Sequence, residues 1–239
     1  MPPLLPDKDI AARDLWPPKD GRSILANIAD KNFQITEPET DSWLVLVEPQ
    51  WQLFSSKDDL CDSDNAVRQK LFDAVQLQQS LGELISSQRC LAVAETGEDS
   101  QWRLWQIVRV EKTLSQLLEK THTEVDAKKI AAMLFIIANK FVNACQQLSK
   151  FETQLTPTLD NLSLQDNKII FTGFIPTVNS TPAIEIESHI TQAFQETITK
   201  IANNPAIENA QILQCLTLHA SENAEHKTWL NALSKLFKQ

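Results

Sequence analysis

Residues 154–174 read QLTPTLDNLSLQDNKIIFTGF and come directly after a strongly periodic segment. Leu162 and Leu164 alternate with polar residues, and the apolar run 169–171 follows a polar turn that contains Asp166. Alternation followed by turn residues and a short β-branched run is typical of a β-hairpin. The stretch therefore predicts, in order, a loop, a hairpin at 162–172 and a glycine.

The segment before this stretch predicts a long helix at 126–150. Ile130, Leu134, Ile137 and Phe141 recur at the spacing of an α-helix and fall on one stripe. Such a stripe indicates a helix that is buried along one face. Three further helices are predicted after residue 182, the last two starting near Pro205 and Ser221.

The first half of the chain predicts mainly strands. Apolar runs separated by polar turns occur at 24–28, 32–36, 43–47, 50–54, 89–95 and 101–108. One helix is expected among them, because capping residues at 62–65 precede apolar residues at helical spacing. Residues 1–22 contain five prolines, which disfavour regular structure, and predict an extended arm that packs through Leu15 and Trp16.

The order of helix, loop, hairpin and glycine resembles the catalytic loop and metal-binding hairpin of the protein-kinase-like fold, in which H-R-D-x-x-x-x-N leads into a hairpin and D-F-G. The resemblance implies an α+β fold. A proline-rich arm at 1–22 would precede a small, mainly antiparallel-β N-terminal lobe with one helix at 23–109. A mainly helical, truncated C-terminal lobe would follow at 110–239 and carry the hairpin at 162–172.

The chain departs from this family at the residues that carry its chemistry. Asn161, preceded by Asp160, falls where the family holds a metal-binding Asn, but Thr156 falls on the catalytic Asp and Phe171 on the Asp of D-F-G. Phosphoryl transfer depends on carboxylates at those two positions. No glycine lies between Gly21 and Gly82, so a glycine-rich loop over the phosphates is also absent.

The resemblance therefore implies a pseudokinase: not an enzyme, with no catalytic residue, and regulating or scaffolding a protein partner. No cofactor and no metal site are expected, ATP and Mg²⁺ included. One alternative is a divergent nucleotide-binding protein or phosphotransferase that uses Asp160, Asn161 and Asp166 as a metal cluster, although these residue types also serve as ordinary turn formers. A second alternative is an acidic adaptor or chaperone-like protein of unrelated fold.

Charge and composition restrict the class of partner. The formal net charge is -9 and the isoelectric point is near 5.0, which disfavours nucleic acid and anionic membrane surfaces. The longest apolar stretch, 130–138, is too short to span a bilayer, and no secretory signal is visible at the N-terminus, so a cytoplasmic location is expected. The four cysteines and four histidines are scattered without metal-ligand spacing.

Overall fold

The computed structural model describes residues 5–6, 9–29, 33–36, 42–47, 50–85, 88–96, 101–150, 155, 157–165, 168–175, 186–220 and 224–237. The chain divides into two compact units, which are described separately. Unit 1 comprises residues 1–111 and 170–179, and unit 2 comprises residues 112–169 and 180–239. Unit 1 is built on an antiparallel sheet and unit 2 is mainly helical, so the predicted α+β class is confirmed.

Unit 1 contains a seven-stranded sheet whose strands run in the order β1-β6-β7-β4-β3-β2, with β5 paired to β7. All of the pairings are antiparallel. The strands are β1 (Leu15–Trp16), β2 (Phe33–Thr36), β3 (Ser42–Val47), β4 (Trp51–Ser56), β5 (Leu60–Cys61), β6 (Arg89–Glu95) and β7 (Trp102–Arg109). The strands predicted near 32–36, 43–47, 50–54, 89–95 and 101–108 are confirmed.

Two helices cover the two faces of this sheet. Helix α1 (Pro18–Ile28) packs Ile24 and Leu25 into a buried cluster with Trp105 of β7. Helix α2 (Asp64–Leu81) packs against Leu91 and Leu104 on the opposite face. The two clusters account for the alternation of apolar residues along the central strands, since successive side chains of a strand point to opposite faces.

Helix α1 contradicts the predicted strand at 24–28 and the predicted extended arm at 1–22. Gly21, Ile24, Leu25 and Ile28 are all buried and fall on one helical stripe, and the helix begins at Pro18, where a proline is tolerated. β1 also lies within the predicted arm and pairs with β6. The single helix predicted for 23–109 was therefore wrong, because the described residues of unit 1 hold both α1 and α2.

A close approach explains the glycine in α1. A Cβ atom on Gly21 would lie 2.8 Å from Cγ of Leu15, a separation that side chains do not adopt. The absence of a side chain lets α1 lie against the residue that starts β1. Gly82 serves a different purpose after α2, since its φ of 54° and ψ of -123° form a backbone conformation that residues with a side chain rarely adopt.

Unit 2 is made of helices around a buried aromatic pair. They are α3 (Leu114–Glu119), α4 (Ala127–Leu148), α5 (Ile186–Ala202), α6 (Asn209–Ala220) and α7 (Ala224–Leu236). The rings of Phe141 in α4 and Phe194 in α5 lie 6.0 Å apart at 80°, and both side chains are fully buried. The helix predicted at 126–150 and the three predicted after residue 182 are confirmed.

The predicted hairpin is present as β8 (Leu162–Gln165) and β9 (Lys168–Phe171), which form a two-stranded sheet. Its turn at 166–167 lies outside the described residues. The end of β9 and the residues that follow it, 170–179, group with unit 1, whereas the sequence had placed them in the helical lobe. Among the described residues, no helix is long and apolar enough to cross a lipid bilayer.

Candidate binding pocket in the helical unit

Unit 2 contains a pocket of about 310 Å³ between α3, the loop 157–160 and α5. Volumes of this size are at the lower end of those that hold small molecules in proteins. The lining residues are Ser115, Leu118 and Glu119 of α3, residues 157–160 of the loop, and His189, Gln192, Ala193, Glu196, Thr197 and Lys200 of α5.

The wall that α3 contributes is fixed by a capping box at the start of the helix. The backbone N–H of Gln116 donates to Oγ1 of Thr113, and the N–H of Thr113 donates to Oε1 of Gln116, both at 3.2 Å. These bonds satisfy backbone groups that a helix start leaves without partners. The N–H of Ser115 then donates to the carbonyl of Leu159 at 3.0 Å and ties the loop to this helix.

The loop holds its own shape through Thr158 and Asn161. The N–H of Thr158 donates to Oδ1 of Asn161 at 2.7 Å, and the N–H of Asn161 donates to Oγ1 of Thr158 at 3.3 Å. Leu155 and Leu159 anchor the loop in the core. Asp160, which lies between the buried Leu159 and the hydrogen-bonded Asn161, is left exposed at the pocket.

The carboxylates of the pocket differ in their surroundings. Glu119 and Asp160 come from different elements, and neither has a hydrogen-bond or ion-pair partner within the described parts of the chain. Glu196 is 2.5 Å from Nζ of Lys200, one turn further along α5, and this pair largely neutralises itself. The uncompensated charge of the pocket is therefore negative and comes from Glu119 and Asp160.

Thr197 is the most buried polar side chain that lines the pocket. It is 9% exposed, and its hydroxyl has no hydrogen-bond partner within the described part of the protein. Its oxygen is not among the fully buried polar atoms without partners, so it faces the space of the pocket. A ligand that fills the pocket can supply that partner.

The candidate residues named from the sequence fall in different places. Asp160 lines the pocket, while the side-chain oxygen of Asn161 accepts a hydrogen bond from the backbone of Thr158 in the loop. Thr156 and Asp166 lie outside the described residues. Phe171 is 2% exposed in unit 1, where its backbone bridges that of Ile85.

Within the described residues, no group of three or more His, Cys, Asp or Glu side chains could hold a metal ion. The alternative metal cluster of Asp160, Asn161 and Asp166 remains untested, since Asp166 is not among those residues.

The sequence reasoning missed the wall contributed by α5. His189, Ala193, Glu196 and Lys200 are spaced by four, three and four residues, which places them on one face of the helix. That spacing predicts a shared helix face, but every polar face of a helix that lies in solvent shows the same spacing. Only the contact of α5 with the distant loop 157–160 distinguishes this face from a solvated one.

Comparison with known proteins gives little guidance. No protein-family model and no curated protein matches the chain. A search of solved structures returned a crystal structure of an aminoglycoside phosphotransferase with ADP bound, 11% identical, aligned over 92% of this chain and 96% of that chain, with a TM-score of 0.26. At this TM-score neither a family nor a function follows from the likeness.

The expectation that the chain is not an enzyme is contradicted by this comparison. The solved structure is that of a phosphotransferase, so a distant likeness to it gives no ground for inferring inactivity. The inference of inactivity also rested on Thr156, which is outside the described residues, and on reading Phe171 as the equivalent of a metal-binding carboxylate.

Proposed function

We propose that the chain binds a small, positively charged molecule in the pocket of unit 2. The observation that carries this proposal is the pair of carboxylates, Glu119 and Asp160, which come from different elements and line one cavity without a cationic partner among the described residues. Two carboxylates without cationic partners give the cavity a negative potential, which attracts a cation.

The neutral groups of the pocket indicate a ligand that also forms hydrogen bonds. Ser115 and Thr158 offer hydroxyls at the rim, Gln192 offers an amide, and the hydroxyl of Thr197 lies at a buried position without a partner. A few convergent polar groups in a concave site are what orients a small ligand. A ligand with several amines or hydroxyls suits this lining better than an apolar cation.

The proposal is tested by calorimetric titration of the purified chain with spermidine as the cationic probe and sorbitol as an uncharged one. We expect spermidine to bind and sorbitol not to bind. Glu119→Gln and Asp160→Asn each remove one charge without changing shape, and each should weaken binding by roughly threefold to tenfold, since tenfold corresponds to about 1.4 kcal/mol.

Glu187→Gln is the matched control. Glu187 lies on α5 and is exposed, but it does not line the pocket. This variant makes the same change in net charge, so it should leave the affinity within about twofold of the wild type, because exposed charges at a distance are screened by salt. The proposal fails if Glu187→Gln weakens binding as much as the two pocket variants do.

A second candidate function is phosphoryl transfer to a hydroxyl of the bound molecule. The observation that favours it is the position of Asp160, an exposed carboxylate of the pocket in the loop whose sequence resembles the kinase catalytic loop, four residues after Thr156, on which the family's catalytic Asp falls. A carboxylate that orients the acceptor hydroxyl is a recurring part of such reactions.

This candidate is checked by incubating the chain with ATP, Mg²⁺ and a panel of amino alcohols, and following ADP and phosphorylated product by ³¹P NMR. Product formation that Asp160→Asn abolishes would support it. If the wild-type chain forms no product while still binding spermidine, the binding function stands and the transferase function does not.

A further inference from the structure

A short segment of unit 1, residues 171–175, is held to the sheet by two buried polar side chains. We call it the strap. Nη2 of Arg89 donates to the carbonyl of Gly173, and Nη1 of Arg89 donates to Oε1 of Gln106 at 3.1 Å. Gln106 also pairs with Ile175, donating to its carbonyl and accepting its N–H at 3.1 Å. The rings of Phe54 and Phe174 lie 6.4 Å apart beside these bonds.

Arg89 is a buried positive charge without a counter-ion. It is 2% exposed, and no described carboxylate forms an ion pair with it. Burial lowers the pKa of Arg89 to about 9, so the guanidinium still carries its charge at neutral pH. A buried charge is normally paired, because neutral carbonyls replace only part of the hydration that it has lost.

The other buried arginine of this sheet provides a comparison. Arg103 is 8% exposed and donates to Oγ of Ser55 and to the carbonyl of Ser56, both at 3.3 Å. Burial lowers the pKa of Arg103, and the nearby negative charge of Asp59 opposes that shift. The Nε atom of Arg103 also lacks a partner among the described residues, but Arg103 has an anion close by, whereas the described partners of Arg89 are uncharged oxygens.

One edge of the Arg89 guanidinium is only half used. The Nε–H and Nη2–H bonds of an arginine leave from the same edge, which grips a carboxylate or phosphate through two parallel hydrogen bonds. At Arg89 the Nη2 group is bonded to a single neutral carbonyl, and the buried Nε group has no partner among the residues that the structure describes. This edge could bind an oxyanion through two hydrogen bonds, but among the described residues it makes one hydrogen bond, to a neutral carbonyl.

Further buried polar atoms without partners lie on the strap itself and on α2, which covers one face of the sheet. The Oγ1 atom of Thr172, next to Gly173, has no partner among the described residues, and neither do the two amide atoms of Gln78. Gln78 is 1% exposed and one helical turn from Ala74, which packs in the same cluster as Leu91. Leu91 is paired with Gln106, so Gln78 belongs to the helix stripe above this face of the sheet.

We propose that Arg89 is a latent oxyanion site. A phosphate-class anion takes the place of the Gly173 carbonyl on the Nε and Nη2 edge and releases the strap from the sheet. The charged site and its cover are both formed by described residues of unit 1. The anion completes the pairing of Arg89, and the strap gives up the bonds that it makes to Arg89 and Gln106.

The amide of Ile175 is the natural reporter, because its N–H is bonded to Gln106 only while the strap is docked. Hydrogen–deuterium exchange of residues 171–175 is measured in sodium chloride, in inorganic phosphate and in adenosine monophosphate at matched ionic strength. We expect phosphate-class anions to raise exchange at Ile175 at least twofold in a saturable manner. A response to inorganic phosphate indicates the free anion, and a response confined to the nucleotide indicates a phosphorylated molecule.

Two variants and one control decide the assignment. Arg89→Lys keeps the charge but loses the two-bond edge, and it should abolish the response, while Arg103→Lys makes the same change at the arginine that has Asp59 nearby and should retain it. If Arg89→Lys does not fold, Gln106→Glu supplies Arg89 with a carboxylate inside the protein and should abolish the response instead. The proposal is overturned if the wild-type chain shows no anion response, or if a folded Arg89→Lys or the Gln106→Glu protein keeps it.

Discussion

The Nε atom of Arg68 in α2 lies 2.8 Å from Oδ1 of Asp14, 54 residues earlier in the chain. Asp14 is 7% exposed and immediately precedes β1, so this bond ties the N-terminal segment to α2. Arg68→Met leaves the Asp14 carboxylate buried beside a thioether, and we expect a lower urea midpoint for unfolding. Lys19→Met, at an exposed site of α1, is the control and should leave the midpoint unchanged.

Gln78 is expected to be replaceable with a gain in stability. Neither of its amide atoms has a partner among the described residues, and the side chain is 1% exposed. Gln78→Leu removes this desolvation cost and should raise the free energy of unfolding by about 1 kcal/mol. Gln76→Leu, an exposed position of the same helix, should change it by less than about 0.5 kcal/mol. A loss of stability in Gln78→Leu would show that the amide is satisfied in solution.

The aromatic pair at the centre of unit 2 should dominate its stability. Phe194 is fully buried against Phe141, and Phe194→Ala leaves a cavity that helices cannot easily close. We expect a loss of about 3 to 5 kcal/mol in urea unfolding. Phe72→Ala removes the same ring from a site that is 55% exposed and should cost much less. Equal losses for the two variants would contradict the packing described here.

Cys145 should make the protein less stable at alkaline pH. Burial raises the pKa of its thiol from 9.0 to about 12. Between these values the unfolded chain binds fewer protons than the folded chain, so its contribution to stability is complete below pH 9 and is lost as the pH rises towards 12. The unfolding free energy of the wild type should fall relative to that of Cys145→Ala across this range. A constant difference between the two proteins would show that the thiol is not buried.

Binding of spermidine to the pocket should weaken as salt is added. Glu119 and Asp160 are exposed, and interactions of exposed charges are screened within about 10 Å at 0.1 M ionic strength. We expect the affinity to fall by roughly tenfold between about 20 and 500 mM sodium chloride. Affinity that is independent of salt would indicate that uncharged groups, rather than these carboxylates, hold the probe.

The elements that could be predicted from the sequence were those whose apolar residues recur clearly at the spacing of a helix or of a strand. Helix α4 has a stripe that recurs over its whole length, and the strands of the sheet alternate against turn residues. Helix α1 was taken for a strand because Ile24, Leu25 and Ile28 form a short apolar run. A short apolar run is typical of a strand and of a buried helix segment alike. In α1 these residues are helical and pack against the sheet.

The candidate pocket was only partly foreseeable. Asp160 was named from the loop alone, but its neighbours Glu119 and Glu196 come from helices on either side of it in the chain. No local pattern joins three separate elements into one cavity. A regulatory role through a protein partner, expected from the sequence, stays a prediction.

The strap is recognised through its backbone. Gln106 contacts the N–H and C=O of Ile175, and Arg89 contacts the C=O of Gly173, which are atoms that nearly every residue carries. These bonds tolerate many substitutions at position 175 but not proline, which has no N–H to donate. Alanine substitutions within residues 171–175 would therefore leave these bonds in place, whereas alanine at Arg89 or Gln106 would remove them.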